Sequence, residues 1–278
     1  LPHLSKRGTG NLKPETFFSL ENSMLLAVDI GNTGITLGIF EGDTLLSCWR
    51  LASDSERTVD EYGILISQLL ERSGKGPGRV DNIAIASVVP PITGIFDRAC
   101  RDYLGVKPLI VDAGTRTGIR IRYEDPKQVG SDRIVQTAAV LKLFKGPACI
   151  VDFGTATIFD AVSAEGEYLG GAIAPGIRIS SDALFQRAAK LPRVEIQRPP
   201  SAIGRNTAHS LQSGLLFGYV GLVDGMVQRF RKELGPEMKT VGTGALIELI
   251  ARETQSIDII EPWLALQGLR IIYDLNRG

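Results

Sequence analysis

Histidine and cysteine are scarce in this chain, and their scarcity removes whole classes of chemistry. With only His3 and His209, neither a Ser–His–Asp triad nor a histidine-rich zinc centre has the residues it needs. The three cysteines, Cys48, Cys100 and Cys149, form no C-x-x-C pair and no disulfide framework, which fits a reduced, cytoplasmic setting. Neither sign of charge is in excess, since 31 Lys and Arg balance 31 Asp and Glu. With no basic run either, a protein held to nucleic acid by phosphate contacts is not expected. No apolar run approaches the roughly 20 residues of a membrane span, so no membrane partner is expected. Residues 1–23 are polar, mixed in charge and without a signal-peptide core; they read as a disordered or added extension, with Phe17-Phe18 at most a surface anchor. What remains is ordinary for a globular protein: 44% hydrophobic, 22% charged, and at 278 residues long enough for two domains with separate cores.

The chain is organised around residues 24–40, MLLAVDIGNTGITLGIF. An apolar run over 25–28 reads as a buried strand, Asp29-Ile-Gly-Asn-Thr-Gly as a turn, and the alternation of Ile35, Leu37 and Ile39 as a second strand. The turn brings together a carboxylate (Asp29), an amide (Asn32), two hydroxyls (Thr33 and Thr36) and the glycines Gly31 and Gly34, which let backbone N–H groups approach a ligand closely. Such a hairpin is able to hold polyphosphate and its metal; equally, Asn-Thr-Gly is a good hairpin turn with no further role. A second copy decides between these. Residues 148–162 repeat strand, Asp152-Phe-Gly154-Thr155, strand, and two such units predict a duplicated domain with a nucleotide gripped in the cleft between the halves.

Between the two units, Thr44 to Leu51 reads as a third strand, and Thr58-Val-Asp-Glu61 as a capping box opening a helix with Tyr62, Leu65, Ile66, Leu69 and Leu70 on one face. A strand over 83–89 stopped by Pro90-Pro91, a helix over 92–104 and a strand over 108–111 follow. Hairpin strands first and helix–strand repeats after is the ribonuclease-H-like order of actin-type ATPases and sugar kinases. The expected fold is therefore α/β, two such domains over 24–146 and 147–278 with the active site in the interdomain cleft.

A polar, Pro-broken segment over 121–130 then leads into a helix with Ser131 as N-cap and Asp132 and Arg133 in its first turn, where both residues also suit a plain helix start. In the second half, strand 168–173 is expected to pair back on 158–162, followed by a helix over 180–189. A long helix from Thr207 to about Leu234 carries Gly214, Gly218 and Gly221, which imply close packing against another helix or a partner subunit. Thr207 suits an N-cap or a ligand contact. The chain closes as a strand over 240–244, a helix over 245–253, a strand over 257–260 and a helix over 264–275.

Taken together, Asp29-Ile-Gly-Asn-Thr, Gly130-Ser-Asp-Arg133, Asp152-Phe-Gly-Thr-Ala-Thr157, the Tyr168 to Gly176 run and Arg205-Asn-Thr207 resemble the type III pantothenate kinases, in order and from Met24 nearly to the end. The resemblance implies ATP-dependent phosphorylation of pantothenate. It implies Asp29 to Thr36 as phosphate loop, with Asp29 near Mg2+, and Thr155 as a further ATP contact. Asp132 would be the general base, with Tyr123, Gly130, Ser131, Arg133 and Thr207 lining the pantothenate pocket. Asp152 would bind a monovalent cation, K+ or NH4+, and the protein would be a homodimer. Beside Arg133, Asp132 is expected to stay ionised at neutral pH.

Three departures from the family pattern stand out: Gly34 where Asn is frequent, Ile158 where Thr is frequent, and Ala245 in the Thr243-Gly-Ala turn, where Ala would strain a position needing positive φ. Two other functions stay open on the sequence: a kinase for a different small alcohol, and a nucleotide-binding accessory or regulatory protein of the same fold.

Overall fold

The computed structural model describes residues 23–277; all but one residue of the expected N-terminal extension lies outside them. Two sheets form. In the first, β1 (Met24–Ile30), β2 (Gly34–Glu41) and β3 (Thr44–Ala52) are an antiparallel meander, and α1 (Val59–Arg72) leads to β4 (Asn82–Ser87), which pairs parallel with β1. The helix α2 (Pro90–Leu104) then returns the chain to β5 (Leu109–Ile110), giving the order β3-β2-β1-β4-β5. After β6 (Arg120–Ile121) and α3 (Ser131–Leu143), the second sheet repeats the plan. Its meander is β7 (Ala148–Phe153), β8 (Ala156–Val162) and β9 (Glu167–Pro175). The helices α4 (Ile177–Arg187) and α5 (Thr207–Leu234) lead to β10 (Lys239–Gly244), α6 (Ile247–Ala251) to β11 (Ile259–Ile260), and α7 (Leu264–Asn276) closes the chain. The order β9-β8-β7-β10-β11 matches the first sheet strand for strand, with β6 added at the β9 edge. Duplication is thus visible in topology, and the fold is the expected one of two ribonuclease-H-like halves.

Strand alternation sets what each sheet face meets. On β1, Leu26, Val28 and Ile30 join the core under α1 and α2, whereas Leu25 and Ala27 face α3 and α7. On β7, Cys149, Val151 and Phe153 pack towards α5 and α6, whereas Ala148 and Ile150 face α3 and α7. The helices α3 and α7 are therefore sandwiched between the two sheets, and Gly268 is the reason they cross so closely. A Cβ there would overlap the backbone carbonyl of Val135. The helix α7 comes from the end of the chain yet packs on β1 and β4, and β6 comes from the first half yet pairs with β9. Neither exchange shows in local periodicity.

The capping box forms as read: Thr58 N–H donates to Glu61 Oε2 (2.8 Å) and Glu61 N–H to Thr58 Oγ1 (3.3 Å). Pro90 and Pro91 turn out to open α2, since the first helical turn has no use for their missing N–H groups, while the strand ends earlier than expected, at Ser87. Two caps shift by one residue. Gly130, not Ser131, caps α3, and Asn206 caps α5 by accepting from His209 N–H (2.8 Å), which makes Thr207 the first helical residue. The helix expected over 180–189 starts earlier, at Ile177, directly after the Pro175-Gly176 turn. Gly214, Gly218 and Gly221 are exposed, and a Cβ at any of them would meet nothing within 4 Å, so among the described residues no helix packs on that face. No described helix is long and apolar enough to cross a membrane.

Candidate active site

Alternation decides where the carboxylates go. Asp29 follows Leu25 and Ala27 on the inter-sheet face of β1, and Asp152 follows Ala148 and Ile150 on that of β7. Both strands end there, so both carboxylates emerge at one end of the sandwich. The turns that follow are held alike: Gly31 N–H donates to Gly34 O (3.0 Å) and Gly154 N–H to Ala156 O (3.1 Å). The two hairpins meet, with Thr33 and Thr155 sharing a hydrogen bond between their hydroxyls at 3.0 Å. Between them lies a cleft of about 360 Å³, lined by both turns and by Asp132 and Gln136 of α3.

Asp132 reaches the cleft through a specific joint. Ser131 Oγ accepts from Ser87 N–H and donates to Ser87 O, both at 2.9 Å, which fixes the start of α3 against the end of β4. Arg133 N–H then donates to Asp132 Oδ1 at 2.8 Å. Gly130 must lack a side chain, because a Cβ would overlap that same oxygen.

Three acidic side chains, each half-buried in one cleft, oppose each other's ionisation. Burial, then Asp132, then Asp152 push the Asp29 carboxyl up to about 8, and its Oδ1 is buried without a hydrogen-bond partner. Asp152 rises to about 6, chiefly by burial, although Gln136 Nε2 donates to its Oδ2 at 2.7 Å. Asp132 is raised as well, because burial outweighs the neighbouring arginine. Arg133 lowers it, through its backbone N–H and its charge, by less than burial raises it. The guanidinium turns away: Arg133 is buried, and its Nε and Nη2 donate to Asp160 Oδ1 at 2.9 and 2.5 Å.

Unpaired carboxylate oxygen and mutual repulsion are the conditions that cations relieve. Among the described residues no three His, Cys, Asp or Glu side chains converge on one metal point. The donor set therefore suits Mg2+ held by Asp29 together with phosphate oxygens and water, the usual manner of this ion, rather than an all-protein cage. Asp152, with one oxygen on Gln136, is similarly placed to take a singly charged cation.

Of the residues singled out in the sequence, Asp29, Gly31, Asn32, Thr33, Gly34, Thr36, Asp132, Asp152 and Thr155 line this cleft together. Gly130 and Ser131 stand behind Asp132 as its support. Tyr123 and Arg133 gather in a cluster beside the cleft: the Tyr123 and Tyr168 rings lie 6.3 Å apart, Arg133 stacks over Tyr168 at 5.5 Å, and Tyr168 Oη donates to Asp160 Oδ1 at 2.9 Å. Thr207 is exposed at the start of α5 and does not line the cleft. Ile158 points inward, on the Asp152 face, as alternation allows. Ala245 carries no strain, because the positive φ of that turn falls on Gly244 (φ 94), where a Cβ would crowd Asp152. Sequence reading missed Gln136, Asp160, Arg50 and Trp263. Gln136 had a signal, a polar residue four positions after Asp132 on an otherwise apolar helix face. Asp160 had one too, as a carboxylate inside an apolar strand.

Two duplicated halves with facing Asp-bearing phosphate hairpins and a third carboxylate between them define a phosphotransferase of the actin-like ATPase and sugar kinase class. Solved structures agree on the fold alone: a Baf family transcriptional activator from Campylobacter jejuni aligns with TM-score 0.50 and 19% identity over 90% of this chain and 97% of that one. Sequence comparison narrows the class. The family model for type III pantothenate kinase matches residues 25–229. Type III pantothenate kinase 2 of Symbiobacterium thermophilum is 52% identical over 92% of this chain and 98% of its own length. The type III pantothenate kinase of Roseiflexus sp. (strain RS-1) is 50% identical over 92% and 100%. The chain belongs to the type III pantothenate kinase family.

Proposed function

We infer that the protein transfers the γ-phosphoryl group of ATP to the primary hydroxyl of pantothenate, giving 4'-phosphopantothenate, the first step of coenzyme A biosynthesis. The observation that carries this reading is the convergence of Asp29, Asp132 and Asp152 in one cleft closed by two phosphate-type hairpins. The halves 24–146 and 147–278 act as the two domains that close over the nucleotide.

Phosphoryl transfer asks for positioning and charge neutralisation more than for covalent chemistry. The Asp29 to Thr36 hairpin and Thr155 hold the phosphate chain with backbone N–H groups and hydroxyls. Asp29 holds Mg2+ and Asp152 a monovalent cation, and when bound these ions neutralise charge on the phosphoryl oxygens. Asp132 takes the proton from the attacking hydroxyl. Its raised pKa suits that role, since a stronger base accepts the proton more readily, and a loose transition state requires the proton late. Gly130 and Ser131 position Asp132, while Tyr123 and Arg133 border the acceptor pocket.

The exposed glycine face of α5 supports a homodimer, because those glycines lower helix propensity with no compensating contact among the described residues. Thr207, away from the cleft of its own chain, would act from that assembly. Light scattering of the purified protein gives the oligomeric state. The decisive experiment supplies ATP, Mg2+, K+ and pantothenate and identifies the product by mass spectrometry. Phosphopantothenate is expected, faster in K+ than in Na+; ADP formed equally with and without pantothenate would refute the acceptor.

A further inference from the structure

The cleft just described has three carboxylates in its lining and, among the described residues, one cationic side chain, Arg50. Its position is set by register. Asp29 pairs with Thr36 on β2, and Thr36 pairs with Arg50 on β3, so the three form one cross-strand row on the inter-sheet face. No hydrogen bond or ion pair to a described residue holds the guanidinium. Instead it lies over the Trp263 ring, 5.0 Å from the centroid, just before α7. The side chain is exposed, and behind it a second cavity of about 360 Å³, bordered by Cys48, Glu248 and Trp263, leaves room for it to swing.

A cation stacked on an indole face keeps its in-plane N–H donors free while its orientation is fixed. Those donors have no acceptor among the described residues, and Arg50 lines the cleft together with Thr36, its partner across the strands. A site that must accept a polyanion next to Asp29, Asp132 and Asp152 needs positive charge from the protein as well as from ions, and no lysine lines it. We propose that Arg50, held by Trp263, is a binding residue for the phosphate chain of the nucleotide. The proposal rests on the reading of the cleft as the ATP site. It assigns Arg50 to the phosphates rather than to the base or the alcohol acceptor, and Trp263 is its positioning residue.

The test compares Arg50→Gln and Arg50→Lys with the unaltered protein in binding of ATP, ADP and adenosine, with Mg2+ present, and in steady-state kinetics. Loss of a charge-assisted phosphate contact predicts about a 10- to 100-fold weaker affinity for ATP and ADP in Arg50→Gln. Adenosine binding and KM for pantothenate stay unchanged. Arg50→Lys falls between, since an ammonium keeps charge but loses the planar fork. In a Trp49→Phe background, Trp263 emission should respond to ATP and ADP but not to adenosine, as phosphate binds the guanidinium stacked on the ring. ATP affinity unchanged in Arg50→Gln, or adenosine weakened as much as ATP, overturns the proposal. Asp29→Asn separates the two failures. If it weakens Mg2+–ATP binding while Arg50→Gln does not, only the role of Arg50 falls; if neither variant weakens it, the cleft is not the ATP site and both readings fall.

Discussion

Removing the Asp29 charge should change how stability depends on pH, in a direction that the cleft geometry fixes. In the unfolded chain an aspartate ionises near 3.8, whereas in the folded, cation-free protein Asp29 does so at about 8. Between those values the unfolded state has given up a proton that the folded state keeps. Stability therefore falls as pH rises, by about 1.4 kcal/mol per pH unit for one such group. Asp152, raised to about 6, adds to this slope only below that pH. Across pH 6 to 8 the unaltered protein should therefore lose about 2 kcal/mol relative to Asp29→Asn, the slope flattening as the pH reaches the folded pKa. Urea unfolding of both proteins at pH 6, 7 and 8 in the presence of a chelator measures the difference, and taking the difference cancels the groups that Asp29 does not touch. Adding Mg2+ with ATP should flatten the slope of the unaltered protein, because a bound cation favours the ionised carboxylate. Parallel slopes for the two proteins without cations would refute the claim that burial and two neighbouring carboxylates hold Asp29 protonated.

Other substitutions test separate parts of the cleft. Asp132→Asn should lower kcat by about 10²- to 10⁴-fold while ATP binding, followed by calorimetry, stays intact, because only the proton acceptor is lost. Gly34→Asn should lower KM for ATP: Gly34 has no positive φ, a Cβ there sits at an ordinary 3.6 Å from Leu51 O, and the added amide supplies a donor beside the phosphate loop. Gly268→Ala should destabilise the fold by about 1–3 kcal/mol in urea unfolding, since its methyl group would force α7 away from the Val135 carbonyl of α3.

Much of this protein is written locally. The apolar alternation of 24–40, repeated over 148–162, gave both hairpins, and with them the duplication and the placement of Asp29 and Asp152 at strand ends. Those are consequences of a period of two and of glycine at turns, and neither needs distant residues. The same holds for the Thr58–Glu61 cap and for the prolines at 90 and 91. What periodicity does not contain is which faces meet. That Asp132 lies between Asp29 and Asp152 depends on α3 being sandwiched by both sheets, and that Gly268 permits the crossing depends on α7 returning across the whole chain to β1.

The balance of charges around Asp132 is illegible in the sequence for the same reason. Along the sequence Arg133 is the neighbour of Asp132, but in space its guanidinium belongs to Asp160, twenty-seven residues on. At Asp132 burial then outweighs what the arginine's backbone N–H and charge supply, and the pKa rises. Arg50 gave no local signal at all, and only strand register sets it in line with Thr36 and Asp29. A sequence states which groups a chain owns and which face of its own element each occupies; the exclusion of water, and the charges that then confront one another, exist only once the elements have packed.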